Sequence, residues 1–142
     1  MNILDVSAYI LEQHGPMTAM KLQKLAYYSQ CWSLVWDERP LFDDRIEAWA
    51  NGPVSPRLYA AHKGKFEVKS GDVPGDPASL DVKAKETVDA VMKFYGDKSA
   101  QWLSDLTHSE APWRDARDGL TAGERSNRCI TPAAMAEFYG SL

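Results

Sequence analysis

The residues best suited to chemistry gather in one short stretch, THSEAPWRDAR at 107–117, where His108 and Glu110 stand just before Trp113 and Arg114. An imidazole and a carboxylate close together can move a substrate proton, and a guanidinium can hold a negative charge. That reading admits a small hydrolase or transferase. The same residues also suit a helix break: His108 would meet free carbonyls, Trp113 would plug the core, and Arg114 would tie a carboxylate through its planar fork. The structural role is the commoner one, because perturbed groups also occur in purely structural networks. No nucleophile motif, phosphate loop, paired-histidine metal motif or dinucleotide fingerprint is present. His62, beside Lys63 and Lys65, reads as solvated, and His14 as a helix-end residue. Cys31 and Cys129 lack ligand spacing, so they read as reduced thiols without zinc, and no cofactor is expected.

The only full charges inside the most apolar stretch, 18–36, are Lys21 and Lys24. At about 100° per residue, Leu22, Leu25, Tyr28, Trp32, Val35 and Trp36 share one helix face, and Met20, Tyr27, Cys31 and Leu34 widen it. Thr18 is the expected cap. The remaining arc, Ala19, Gln23, Ala26, Gln30 and Ser33, is small or neutral, so this helix is expected to be buried on most sides. Cations near a helix N-terminus oppose the macrodipole and lose hydration on burial. Two readings follow: the stems pack on aromatics while the heads reach water or a carboxylate such as Glu47, or the pair lines a cleft for a partner's acidic group.

The remaining elements must position these groups. Asp5 is the expected cap of a short helix over 6–13, with Tyr9 and Ile10 docking on the central helix. Arg45, Glu47 and Trp49 alternate with Ile46, Ala48 and Ala50, the period of a half-buried strand, and 65–69 alternates similarly and could pair with it. Ser55 and Pro56 open a helix over 57–63, which Gly64 ends. The segment 70–79 reads as an exposed loop tolerant of nicking or insertion. A helix from Asp81 buries Ala84, Val88, Val91, Met92 and Tyr95 and stops at Gly96; Ser99 caps the next, carrying Trp102, Leu103 and Leu106. Pro112 starts a short helix, 119–128 is a charged loop, and Thr131 and Pro132 open a last helix anchored by Met135 and Phe138. The expected fold is mainly α (α+β): a single globular domain over 1–142, with about six to seven helices around a buried central helix and a small antiparallel β-ribbon.

At 142 residues the chain can bury roughly 70% of its unfolded surface in one core. Its net charge of −4 and pI near 5.3 argue against nucleic acid as a partner. The densest basic cluster, Lys63, Lys65 and Lys69 with Arg57, is interrupted by Glu67 and has no reading helix. No basic amphipathic face supports a membrane role, and the opening MNILDVSAYILEQHG lacks a signal peptide's basic start and apolar run. A soluble, cytoplasmic protein is expected.

Three stretches in order, MTAMKLQKLAYYSQCW at 17–32, RPLFDDRIEAWANGPVSPRLY at 39–59 and THSEAPWRDAR at 107–117, with ITPAAMAEFY closing, resemble the Panacea domain antitoxins, which include SocA-like antitoxins and phage-associated GepA-like proteins. The resemblance implies a mostly helical protein encoded beside a toxin that it neutralises by direct binding. For SocA-like members it also implies an adaptor that presents the toxin to a AAA+ protease such as ClpXP. It transfers no catalytic residue. Two surfaces are the expected partner sites: the exposed side and edge of the ribbon at Arg45, Glu47 and Trp49, and a cleft near Lys21, Lys24 and Arg114, with His108 and Trp113 beside it.

Overall fold

A computed structural model describes all of residues 1–142. Seven helices and five short strands follow in the order α1 (Ile3–His14), β1 (Met17–Thr18), α2 (Ala19–Trp36), β2 (Ile46–Trp49), β3 (Gly52–Val54), α3 (Pro56–His62), β4 (Glu67–Val68), α4 (Val82–Tyr95), α5 (Ala100–Ser109), α6 (Ala111–Ala116), β5 (Cys129–Ile130) and α7 (Pro132–Gly140), with a 3₁₀ turn at Pro77–Ser79. The fold is thus mainly α with small antiparallel sheets, as expected. One apolar cluster draws side chains from all seven helices around α2. No helix is long and apolar enough to cross a membrane.

Thr18 caps α2 by accepting the Lys21 N–H at 3.2 Å, and Leu22, Leu25, Ala26, Tyr27, Tyr28 and Cys31 are fully buried. The neutral polar arc is buried too, for a specific reason. Gln23 accepts the Ser55 N–H at 2.9 Å and donates to its carbonyl at 3.2 Å; Gln30 accepts from Leu41 at 2.7 Å and donates to Phe42 at 2.9 Å; Ser33 donates to Arg39 at 2.8 Å. These side chains satisfy irregular backbone that passes over the helix, where an unpaired amide would cost about 1–3 kcal/mol. The apolar face stops short of its expected end: Trp36 is 50% exposed and stacks on Trp32 at 5.0 Å.

Five expectations are corrected. Asn2, not Asp5, caps α1, so the helix begins at Ile3: Asn2 accepts the Asp5 N–H at 3.0 Å while Asp5 accepts the Asn2 N–H at 2.9 Å, a reciprocal capping box. The second strand alternation pairs elsewhere: β4 lies on β1, with Met17 opposite Val68. β2 is instead the centre of a sheet ordered β3-β2-β5, with Trp49 opposite Gly52 and Ile46 opposite Ile130. Ile46, Glu47 and Ala48 are accordingly all buried, which a half-buried strand would not show. Pro53 fits because Ala48 opposite it donates to Arg128 at 2.8 Å on the far side, so the missing proline N–H falls on the outer edge. The 70–79 loop is pinned from its fourth residue onward: Val73 is buried, Asp5 accepts the Asp76 N–H at 2.8 Å, and a Cβ on Gly75 would lie 2.0 Å from the Leu4 carbonyl oxygen. Last, Tyr139 and Met135 anchor α7 while Phe138 is only half-buried.

Replacing the Asn2 cap with alanine is expected to cost about 1 kcal/mol. Asp5→Ala should cost more, roughly 2 kcal/mol, because it frees both the box and the Asp76 amide. Urea unfolding measures both; a silent Asn2→Ala would return the cap to Asp5.

Candidate functional site

The three motif stretches converge on the β2–β3 hairpin. Its carbonyls are held one after another by side chains from the α5–α6 region. Ser104 Oγ donates to Asn51 at 2.8 Å, Trp113 Nε1 to Trp49 at 2.8 Å and Arg117 Nη1 to Ala48 at 2.9 Å. Arg117 also sits over the Trp113 ring at 5.2 Å, and His108 stacks on that ring at 4.0 Å. Beneath the turn, Gly52 adopts φ +125°, and a Cβ there would lie 2.5 Å from Lys24 Cε. Glycine is therefore required twice over, by conformation and by contact.

Lys24 neither reaches water nor meets Glu47. It is 1% exposed, and its amine has no hydrogen-bond partner. Burial pushes its pKa down to about 8, and the nearby amine helps to hold His62 and His108 below their ordinary values, chiefly a result of their own burial. Lys21, one turn away, goes elsewhere: its Nζ donates to the Gly96 carbonyl at 2.6 Å, placing a cation at the C-terminus of α4. The expected cleft is therefore absent, since Lys24 is enclosed and Arg114 is exposed with a single 3.3 Å bond to Ser109. The tie expected of Arg114 is made by Arg117, and to carbonyls instead of a carboxylate. Arg117 stands four residues after Trp113, on the same helical side, a spacing legible in advance.

His108 and Glu110 do not form a dyad. Glu110 turns into the core and accepts the hydroxyls of Tyr28 at 2.6 Å and Tyr139 at 2.7 Å. His108 Nε2 is buried without a partner. Burial raises the Glu110 pKa against the opposing pull of the two hydroxyls. Tyr139 gives its proton to Glu110, so Tyr27 is the donor in their 3.1 Å contact.

The hairpin's other side opens into a groove of about 700 Å³. Trp49 and Tyr59, 5.0 Å apart and edge-on, form its aromatic floor with Met20 and Val54. Glu47 at its margin is 3% exposed; Trp49 Nε1 donates to one oxygen at 2.8 Å, and Arg45 Nε forms an ion pair with the other at 2.7 Å. Arg125, Ser126 and Asn127 form the opposite wall. That wall is positioned by Arg117, whose Nη2 donates to the Thr121 carbonyl at 3.0 Å and the Glu124 carbonyl at 2.7 Å. Of the expected surfaces, the Trp49 side thus survives as a groove, but not as a free edge: β2 is paired on both sides. Tyr59, Met20, Arg125 and Asn127 had no distinguishing sequence signal. A second groove of about 540 Å³ runs between α6, β5 and α7 past Cys129, and none of the expected site residues lines it.

Lys24 makes a testable demand on stability. The unfolded amine keeps a value near 10.5 and the folded one about 8, so the unfolded chain binds more protons between them and stability rises with pH across that window. Lys24→Met is expected to be the more stable protein at pH 7, by up to roughly 3 kcal/mol, with the gap closing toward pH 10. Urea titrations of both proteins from pH 7 to 10 measure it; a gap constant with pH would contradict a buried, unpaired amine.

The family described as Antitoxin SocA-like, Panacea domain, matches residues 22–114, from within α2 to within α6. Antitoxin SocA of Caulobacter vibrioides (strain NA1000 / CB15N) is 31% identical over an alignment of 112 residues that covers 69% of this chain. The chain spans 58% of that protein's length. No solved structure matches it. The family match includes Lys24, the hairpin and Trp113, while Met20, Arg117 and the wall at Arg125, Ser126 and Asn127 lie outside it, and the chain belongs to the SocA-like antitoxins of the Panacea domain family.

Proposed function

We propose that this protein is an antitoxin that neutralises a cognate toxin by direct protein–protein binding, and that the groove floored by Trp49 and Tyr59 is the contact surface. The observation carrying this reading is that the groove is pre-formed. Both walls are tied to the core through Ser104, Trp113 and Arg117, so little ordering is required when a partner docks. Tryptophan, tyrosine and arginine are also the side chains that dominate interface energetics. No step of this activity needs a nucleophile or a metal, and His108 and Glu110 serve packing and the tyrosine network in it. Family membership supports the antitoxin role.

Co-expression with the toxin encoded beside the gene tests the reading. Growth should be rescued, and the two proteins should co-purify with the toxin still abundant. Trp49→Ala is expected to weaken the complex by about 2 kcal/mol, roughly 30-fold, whereas Arg114→Glu should leave it intact. Rescue with disappearing toxin, dependent on a AAA+ protease, would instead favour an adaptor. Full affinity in Trp49→Ala would remove this groove as the contact surface.

A further inference from the structure

The groove's unsatisfied polar groups define what it binds. Glu47 is its one acidic lining residue, and that charge is met inside the protein by Arg45 and the Trp49 indole. Arg125 is exposed on the opposite wall and forms no ion pair. Its neighbour Glu124 is turned away onto Thr121, whose N–H and hydroxyl lie 3.4 and 3.3 Å from its carboxylate. Asn51 and Asn127, which also line the groove, are exposed as well. The lip therefore offers a free cation and amide donors on a chain whose net charge is −4, above a floor of aromatic and aliphatic carbon.

We propose that the groove takes a toxin segment in which an apolar or aromatic side chain lies one or two residues from a carboxylate. This rests on the toxin-binding reading above. The apolar side chain packs on Trp49, Tyr59, Met20 and Val54; the carboxylate pairs with Arg125 and takes hydrogen bonds from Asn51 or Asn127. A basic segment would meet Arg125 and leave that guanidinium unpaired beside a second cation, so the same lip selects against it. The loop carrying Arg125 is fixed by Arg117, which keeps the cation in register with the floor.

Charge reversal tests the assignment. Arg125→Glu, at a side chain with no internal ion pair, is expected to leave the melting temperature unchanged and to weaken the toxin complex at least tenfold. Each aspartate and glutamate of the toxin is then changed singly to lysine. One such toxin, still toxic, is expected to escape the unaltered antitoxin and to be bound by Arg125→Glu. Unchanged affinity in Arg125→Glu together with a weakened Trp49→Ala complex would overturn the acidic segment while leaving the groove as the contact surface. Unchanged affinity in both variants would overturn the groove reading itself. A weakened Arg125→Glu complex that no acidic-to-lysine toxin restores would also reject the carboxylate pairing.

Discussion

Three carbonyl oxygens on one hairpin, those of Ala48, Trp49 and Asn51, have to find donors away from the β-ladder, and the donors come from a segment more than fifty residues later in the chain. Each bond contributes only about 1 kcal/mol net, somewhat more for the charged Arg117, yet leaving the buried Ala48 or the part-buried Trp49 carbonyl unmet would cost about 1–3 kcal/mol, whereas the exposed Asn51 carbonyl would turn to water. The arrangement therefore works chiefly as a constraint. The hairpin cannot shift without unpairing several groups at once. Lys24 makes the constraint tighter, since its stem fills the space beneath Gly52 and its amine is buried with no acceptor. This is a locally unfavourable arrangement held by its surroundings.

A second buried network packs one turn further along α2, on the side that also carries Lys24. Tyr27, Tyr28, Tyr95 and Tyr139 pack ring on ring, with Tyr28 and Tyr95 stacked at 4.2 Å, and Glu110 accepts two of their hydroxyls. Glu110 is the residue between α5 and α6, so the carboxylate fixes the bend that aims Trp113 and Arg117 at the hairpin. Burial drives the Tyr28 and Tyr139 hydroxyls far above the ordinary tyrosine value, keeping them protonated donors. Glu110, one of the two motif residues that first suggested acid–base chemistry, thus holds the tyrosine hydroxyls of the core.

The helices were legible because their signals are local. Thr18, Ser55 and Ser99 each cap as expected, the helices read from Asp81 and Thr131 start there, and the buried face of α4 follows from periodicity alone. Strand pairing was not legible. β5 is two residues long and pairs with a strand eighty residues away, so no local pattern announces it. Alternation in β2 misled for a related reason: both of its edges are paired and Ile46, Glu47 and Ala48 are all buried, with Glu47 held by the Trp49 indole and the Arg45 ion pair. The fate of Lys24 was hidden too. Snorkelling is the usual outcome for a lysine in an apolar face, and only the hairpin turn, placed by distant donors, seals it in. Of the site, Trp49 and its neighbours could be named early, whereas the opposite wall depends on a loop whose shape is set by Arg117.

The central claim is that this hairpin groove, and not another surface, meets the toxin. The most direct measurement is site-specific photo-crosslinking in the assembled complex, with the reactive side chain placed at Asn127 in one protein and at Glu137, which lines the Cys129 groove, in another. The account predicts a toxin crosslink from position 127 and none from 137. A crosslink from 137 alone would contradict it and move the interface to the groove between α6 and α7.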